Sequence, residues 1–193
     1  MKIILTIILT FSFTWTFSQT EKEAQELCEK FIINGKATTE NKNVDGQKTG
    51  YWTHYYDSNN ELTNNPEDAN SMSIVNYEAD IPKGICVECY TNSKLLGFGT
   101  YLEDTTWTPD GTYTSYDKNG TVYMKEMYKN GKLNGITKEN YKNGKLRFES
   151  FYVKDTLTKM HNYEKNGTLI GTKEYSYTPD TVIVLNLYRD DGS

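Results

Sequence analysis

The sequence has few of the side chains from which metal and catalytic sites are built. It contains three cysteines and two histidines, whereas a tetrahedral zinc site needs four ligands. It also lacks a phosphate-binding loop, a dinucleotide glycine motif, a metalloprotease helix and a serine-hydrolase elbow. Its carboxylates are scattered over turns and exposed strand positions, where solvation is their usual role. These absences predict a protein that is not an enzyme and that uses no cofactor or metal.

Aliphatic side chains are scarce as well. Hydrophobic residues make up 36% of the chain and the mean hydropathy is −0.72, yet tyrosine alone supplies 16 residues. Such a composition suits a sheet one or two layers thick better than a large globular core. After a leader is removed, about 175 residues remain, which is enough for one domain.

The formal net charge of −5 argues against nucleic acid as a partner, because binding to nucleic acid depends on neutralising phosphates. The charge is unevenly distributed, with 16 acids and 7 bases in residues 19–111 against 7 acids and 12 bases in residues 112–175. The basic half could dock an acidic polymer, although lysines at turns also keep sheet edges soluble and unpaired. No membrane contact is expected beyond the leader.

Residues 1–18 have the pattern of a secretory signal peptide. Lys2 is the only charge, and Ile3 to Phe17 is mostly apolar with interspersed threonine and serine. Cleavage is expected near Ser18-Gln19. The sequence therefore predicts an exported protein (periplasmic, cell-surface or secreted), and the alternative is that the leader is retained as an anchor.

One phrase, a tyrosine followed by a polar turn, recurs along the chain. The tyrosines at positions 90, 116, 141, 163 and 188 are separated by 26, 25, 22 and 25 residues. A period of this length is typical of stacked supersecondary units. The four strongest copies are Tyr116-Asp117-Lys118-Asn119-Gly120, Tyr141-Lys142-Asn143-Gly144, Tyr163-Glu164-Lys165-Asn166-Gly167 and Tyr188-Arg189-Asp190-Asp191-Gly192.

The spacing within each unit predicts strands. Each return segment pairs an aliphatic residue with a tyrosine six positions later, an even separation that puts both on one face of a strand. In one unit this pattern puts Leu146, Phe148 and Tyr152 on one face. We therefore expect an all-β, elongated antiparallel meander of five to six stacked hairpins.

The turn sequences predict two kinds of hairpin connection. Asn143-Gly144 suits a two-residue type I′ turn, in which both residues need a positive φ. The 117–120 and 164–167 segments are one residue longer and suit a type I turn that ends in a left-handed glycine and a bulge.

The regions outside the repeat give three further expectations. Residues 20–34 carry an apolar stripe at helical spacing, which predicts a short N-terminal helix that caps the first exposed edge of the sheet. A short strand over Phe31-Ile32-Ile33 is the competing interpretation.

A polar insertion is expected at about 63–73, and Val182 to Tyr188 is either a final edge strand or the first part of a truncated hairpin. The domain organisation is then a leader (1–18), a helical cap and linker (19–42) and a repeat domain (43–193).

The segment Asp45-Gly46-Gln47-Lys48-Thr49-Gly50-Tyr51-Trp52-Thr53-His54-Tyr55-Tyr56-Asp57 resembles the bacterial MORN-repeat variant, often labelled YwqK-type. The segments Asn130-Gly131-Lys132-Leu133-Asn134-Gly135 and Asn143-Gly144-Lys145-Leu146 fit the same phrase. The resemblance covers about residues 43–192 and implies a twisted ribbon of stacked β-hairpins. It also implies an interaction role, since eukaryotic relatives are associated with protein contacts.

The cysteines allow two interpretations. Cys86-Val87-Glu88-Cys89 is a C-x-x-C pattern, but residues i and i+3 of a strand face opposite ways and lie about 10 Å apart, too far for a disulfide. Both are therefore expected to be small strand residues. The alternative, compatible with export, is a disulfide from Cys28 to Cys86 or Cys89 that ties the cap to the sheet.

Aromatic rings are the best candidates for a binding surface. Six of them could form an exposed strip or could instead hold neighbouring hairpins together: Trp52, Tyr55, Tyr113, Tyr123, Tyr141 and Tyr163. The sequence thus favours a non-catalytic exported module with a protein-interaction or scaffolding surface. The alternative is binding of a carbohydrate or envelope polymer through the aromatic strip, and an enzyme with an unrecognised acid pair comes third.

Overall fold

The computed structural model describes residues 20–33, 36–37, 41, 43–104, 106–178 and 181–188. Within these residues the protein is mostly β-structure, with one short helix at the N-terminal end. The predicted leader, most of the linker before residue 43 and the last five residues lie outside the described residues. No helix in the described part of the chain is long and apolar enough to cross a membrane.

The N-terminal helix, α1, occupies residues 20–31 of the described chain. Ala24, Leu27 and Cys28 are buried on one side of it, as the apolar stripe predicted. The predicted helix end at residue 34 is wrong, because Ile32–Ile33 forms a short strand that pairs with Lys36–Ala37. The two competing interpretations of this segment are therefore each right for part of it.

The strands are numbered in chain order. They are β1 Ile32–Ile33, β2 Lys36–Ala37, β3 Asn43–Val44, β4 Gln47–Lys48, β5 Gly50–Tyr56, β6 Leu62–Thr63, β7 Ser71–Glu78, β8 Ile81–Tyr90, β9 Leu95–Thr100, β10 Gly111–Tyr116, β11 Val122–Lys129, β12 Lys132–Leu133, β13 Gly135–Asn140, β14 Leu146–Val153, β15 Thr156–Tyr163, β16 Leu169–Tyr177 and β17 Val182–Tyr188.

Thirteen of these strands form one open sheet in the order β17-β16-β15-β14-β13-β11-β10-β9-β8-β7-β5-β6, with β12 paired beside β11. Every pairing is antiparallel, and sequence neighbours are nearly always spatial neighbours. The predicted meander of stacked hairpins is therefore confirmed. Two small separate ladders, β1-β2 and β3-β4, precede the main sheet.

Helix α1 packs on a face of the sheet and not at its edge, so the predicted edge cap is wrong. Its buried residues join a core with Met72, Ile74 and Val87. We call this side of the sheet the helix face, and the opposite side, which carries Ser73 and Glu88, the far face. The helix lies on the face because the apolar side chains of β7 to β9 need cover there, and burying them stabilises the fold.

The N-terminal edge of the sheet is covered by polar contacts. Strand β6 pairs with the end of β5. Further along β5, the Asn41 amide acts like a neighbouring strand, because Thr53 N donates to Asn41 Oδ1 (3.0 Å) and Asn41 Nδ2 donates to Thr53 O (3.3 Å). Such cover protects the backbone groups of an edge strand from pairing with another chain.

The polar insertion is shorter than predicted. It consists of β6 and the 3₁₀ turn Pro66–Asp68. Strand β7 already begins at Ser71, which pairs with Tyr56, so the predicted loop end at residue 73 is wrong.

In the part of the chain that the structure describes, the hairpin turns at the tyrosine end share one form. In the 117–120 turn Gly120 N donates to Asp117 O (2.9 Å) and Gly120 has a φ of +87°. A bulge follows, so the predicted type I turn with a left-handed glycine is confirmed.

The 141–144 turn has the same form, because Gly144 N donates to Tyr141 O (2.8 Å) and only Gly144, not Asn143, has a positive φ. The predicted type I′ turn at Asn143-Gly144 is therefore wrong, and the two-residue turns with two positive φ angles lie at the other end of the hairpins, as at Asn130-Gly131.

The bulges also change which side chains share a face. In β14, Leu146 pairs with Asn140 while Phe148 pairs with Glu139, so Arg147 is the extra residue. Because Asn140 and Glu139 point to opposite faces, Leu146 and Phe148 do as well. The expectation that Leu146, Phe148 and Tyr152 line one face is wrong for Leu146 and holds for the other two.

Candidate functional site

The six candidate rings divide among three places and do not form one continuous row. The strand register puts Trp52 and Tyr113 on the far face near β5 to β10, and Tyr55 and Tyr163 on the helix face. Tyr123 and Tyr141 line a cleft at the tyrosine end of the hairpins. Each place has a different chemical environment.

The helix-face rings are part of the packing. Tyr55 is half-buried against the core beneath α1. Tyr163 lies beside His161, with the ring centroids 6.5 Å apart, and its backbone carbonyl accepts a hydrogen bond from Tyr141 Oη (2.8 Å). The Tyr55 ring therefore has a packing role, and the Tyr163 ring contacts His161.

A cluster of rings covers the N-terminal part of the far face. Trp107 packs edge-on against Tyr77 (centroids 5.8 Å apart) and against Tyr101 (5.7 Å). Trp52 also meets Tyr77 edge-on at 6.2 Å, and the Lys48 ammonium lies 4.9 Å from the Tyr77 ring centroid. Edge-on aromatic contacts of this kind contribute about 0.5–1.5 kcal/mol each beyond the burial of area. Tyr77 is only 3% exposed, so this cluster is a second core of the domain.

Polar groups lie in register beside the ring cluster. His54, Ser73 and Glu88 are direct cross-strand partners on β5, β7 and β8. His54 Nε2 is 3.2 Å from Tyr77 Oη, and Ser73 is 3% exposed. A serine, a histidine and a carboxylate thus stand side by side, but the serine is buried in the sheet.

Two groups in this row have shifted pKa values. Burial lowers the pKa of His54, and the Lys48 charge adds to the effect. Burial raises the pKa of Glu88, while an interaction with the Tyr113 hydroxyl partly opposes the rise. Both shifts favour the neutral form, as expected for groups that support packing.

The Glu88→Gln variant is expected to be more stable than the wild type at neutral pH. Because the pKa of Glu88 is higher in the folded than in the unfolded protein, the wild type loses stability as the pH rises through the folded pKa. An uncharged glutamine removes this loss. The measurement is urea denaturation at a series of values between about pH 4 and 8, with the exposed Glu61→Gln as control. A Glu88→Gln curve parallel to that of the wild type over the whole range would contradict this expectation.

Tyr113 lies flat across two glycines of β9. A Cβ on Gly97 would stand 2.5 Å from Tyr113 Oη, and one on Gly99 would stand 2.6 Å from Tyr113 Cδ2. Burial and then the Glu88 charge raise the pKa of Tyr113, so the hydroxyl stays protonated. The ring is therefore packed against the sheet over Gly97 and Gly99.

The Gly99→Ala variant is expected to lower the free energy of unfolding by about 1–3 kcal/mol, because the added methyl overlaps the Tyr113 ring. In a Tyr113→Ala background the same change is expected to have a much smaller effect. A double-mutant cycle by chemical denaturation measures the difference. Equal effects of Gly99→Ala in both backgrounds would show that the ring does not pack on Gly99.

The hairpin tips are tied to one another through their side chains. Tyr90 Oη donates to Tyr116 O (3.3 Å), as Tyr141 Oη does to the carbonyl of Tyr163. Lys145 Nζ reaches Asn166 O (2.7 Å) in the following tip. The tips at Tyr90 and Tyr141 are therefore each bonded to the next tip along the chain.

The structure contains the disulfide that the sequence analysis gave as the alternative. Cys28 of α1 forms a disulfide with Cys89 of β8, across 61 residues of chain. The expectation that both cysteines of the C-x-x-C pattern are plain strand residues is therefore wrong for Cys89. It holds for Cys86, a buried free thiol on the far face. The two point to opposite faces, as the strand geometry predicted.

The last strand is unusual in being apolar on both faces and exposed. Its side chains are exposed at Val182 (54%), Ile183 (48%), Val184 (42%), Leu185 (56%) and Leu187 (53%). Strand β17 pairs with β16 on one side, and within the described ranges no strand pairs with its other side. A strand with no charge and apolar residues on both faces is typical of a sheet interior. The sequence predicted Val182 to Tyr188 as either a final edge strand or the first part of a truncated hairpin. The segment forms a strand, and residues 189–193 after it lie outside the described residues, so this choice stays open.

Over the part of the chain that the structure describes, no group of three or more histidine, cysteine or acidic side chains is placed to hold a metal ion. The residues that sequence reasoning missed are Trp107, Glu88 and Arg147, none of which belongs to the repeated phrase. Comparison of the chain with family models and with curated proteins gave no match in either.

Proposed function

We propose that this protein is a non-catalytic, exported scaffolding module that joins protein chains edge to edge through β17. The observation that carries the proposal is the contrast between the two edges of the sheet. The N-terminal edge is covered by β6 and by the Asn41 amide. Strand β17 has no such cover from the described residues, and five of its apolar side chains are exposed.

Proteins ordinarily protect an edge strand with charges, prolines or a covering segment. Strand β17 carries no charge and no proline over Val182–Tyr188. An exposed edge of this kind recruits an extended segment, which adds a strand through backbone hydrogen bonds.

A second copy of the chain fits this edge. Two β17 strands related by a two-fold axis run antiparallel, which continues the pattern of every other pairing in the sheet. Because β17 is uncharged, the pairing opposes no like charges. Its apolar side chains would then meet their equivalents on both faces.

Export is part of the proposal. It is supported by the signal-like pattern of residues 1–18 and by the Cys28–Cys89 disulfide, which is typical of proteins from oxidising compartments. Membership of the bacterial MORN-repeat variants is likewise proposed, on the repeated phrase and its stacked hairpins.

The mature chain is expected to form dimers in a concentration-dependent way. The measurement is sedimentation velocity or light scattering over a wide concentration series. A binding free energy of about 4 kcal/mol corresponds to a Kd of about 1 mM, so about half of the chains would be dimeric at that concentration. A chain that stays monomeric there would contradict the proposal.

A further inference from the structure

A cleft opens on the far face between the tips of the hairpins β10–β11 and β13–β14. It has a volume of about 230 Å³. We call it the tyrosine cleft; its lining includes Asp117, Tyr123, Glu139, Tyr141, Lys142 and Arg147. Strands β15 and β16 separate the cleft from β17, so the cleft plays no part in edge pairing.

The walls of the tyrosine cleft are held in place. Tyr141 is fixed by the hydrogen bond from its hydroxyl to Tyr163 O (2.8 Å). Arg147 Nη1 donates to Glu139 Oε1 (2.7 Å), and the guanidinium lies 4.7 Å from the Phe148 ring centroid and 5.7 Å from that of Tyr141. A fixed wall reduces the ordering that a ligand must bring about on binding.

Tyr123 supplies a ring that is open to solvent. It is 45% exposed and sits at the bulge of β11, where it is the extra residue opposite β10. The equivalent bulge positions in the two following hairpins are Arg147 and Ile170. Because Tyr123 is the extra residue of this bulge, no residue of β10 stands opposite it.

The polar groups of the cleft balance in charge. Two acids, Asp117 and Glu139, stand with two bases, Lys142 and Arg147. Hydrogen bonds from the backbone, first that of Thr121, lower the pKa of Asp117, so it is ionised. The site therefore offers both donors and acceptors without a net charge, which suits a neutral ligand rich in hydroxyl groups and disfavours phosphate or sulfate.

We propose that the tyrosine cleft binds a neutral saccharide, with one sugar ring against Tyr123 and its hydroxyl groups bonded to Glu139 and Arg147. Tyrosine offers an apolar ring face with a polar tip, which matches the apolar face and polar rim of a pyranose. The volume is below the 300–1,000 Å³ of typical drug-sized sites. It therefore fits one sugar unit of a chain that continues along the surface.

The test is an NMR titration of the wild type with glucose, N-acetylglucosamine and their β-1,4-linked tetramers. At least one of these is expected to give saturable shifts confined to the tips of β10–β11 and β13–β14. The Tyr123→Ala variant is expected to weaken binding at least tenfold, and Tyr123→Phe to retain it. Ile170→Ala, at the equivalent bulge of a later hairpin, is the matched control and is expected to bind as the wild type does.

Three results would overturn the proposal. The first is the absence of saturable shifts with all four saccharides. The second is equal loss of binding in Tyr123→Ala and Ile170→Ala, which would point to a general change in the sheet. The third is tighter binding of inorganic phosphate than of any saccharide. Because Tyr123 is exposed, an unchanged melting temperature of Tyr123→Ala verifies that the variant is folded.

Discussion

Replacing Cys28 or Cys89 by alanine is expected to lower the free energy of unfolding by about 4 kcal/mol. The disulfide between them closes a loop of 61 residues, and the loss of chain entropy in the unfolded state gives this magnitude for a loop of that length. The bond also holds α1 against the helix face, where Ala24 and Leu27 are buried. The effect is therefore a large fraction of the roughly 5–15 kcal/mol that stabilises a typical domain.

The measurement is urea denaturation of the wild type and both single variants, with and without reductant. The wild type in reductant is expected to match the single variants, and the double variant is expected to be little worse than either. Cys86→Ala is the control, because Cys86 is a free thiol and its variant should still respond to reductant. Additive effects of the two single changes would mean that the cysteines are not bonded.

The Leu185→Lys variant is expected to weaken self-association about 100-fold. Leu185 is 56% exposed in the single chain, so the change leaves the fold of the monomer intact. In a two-fold pair of β17 strands the substitution occurs twice, and a loss of about 1.4 kcal/mol in each copy gives the 100-fold effect. Lysine on an edge strand is also a common device against edge pairing.

Val153→Lys is the matched control for this variant. Val153 is 55% exposed, but it lies in β14, an interior strand with a neighbour on either side. Sedimentation equilibrium of the two variants separates a specific effect of β17 from a general effect of added charge. If both variants dimerise as the wild type does, the association interface lies elsewhere.

The tyrosine period was sufficient to predict the architecture, because each turn and each strand pair forms from residues close in sequence. Local patterns failed to predict the position of the helix and the form of one turn. The helix was expected at an edge, but the apolar side chains of β7 to β9 draw it onto a face. At Asn143-Gly144 a two-residue turn was predicted, but Lys142 and Asn143 adopt the same type I turn as the neighbouring tips.

The candidate site was predictable only in part. Tyrosines stand out in the sequence, but their exposure depends on the bulges, which a period of two residues does not reveal. Tyr113 is held over Gly97 and Gly99, whereas Tyr123 faces solvent because it is the extra residue of a bulge. Arg147 gains its place from Glu139 on the neighbouring strand, a contact with no sequence signature.

Hydrogen exchange of the β17 amides, followed at low and high protein concentration, tests the open edge most directly. The account predicts that exchange within residues 182–188 slows as the concentration rises, while exchange in β5 stays the same, because only β17 gains a backbone partner. Exchange in β17 that is independent of concentration, or protection that appears only at another surface, would contradict the account.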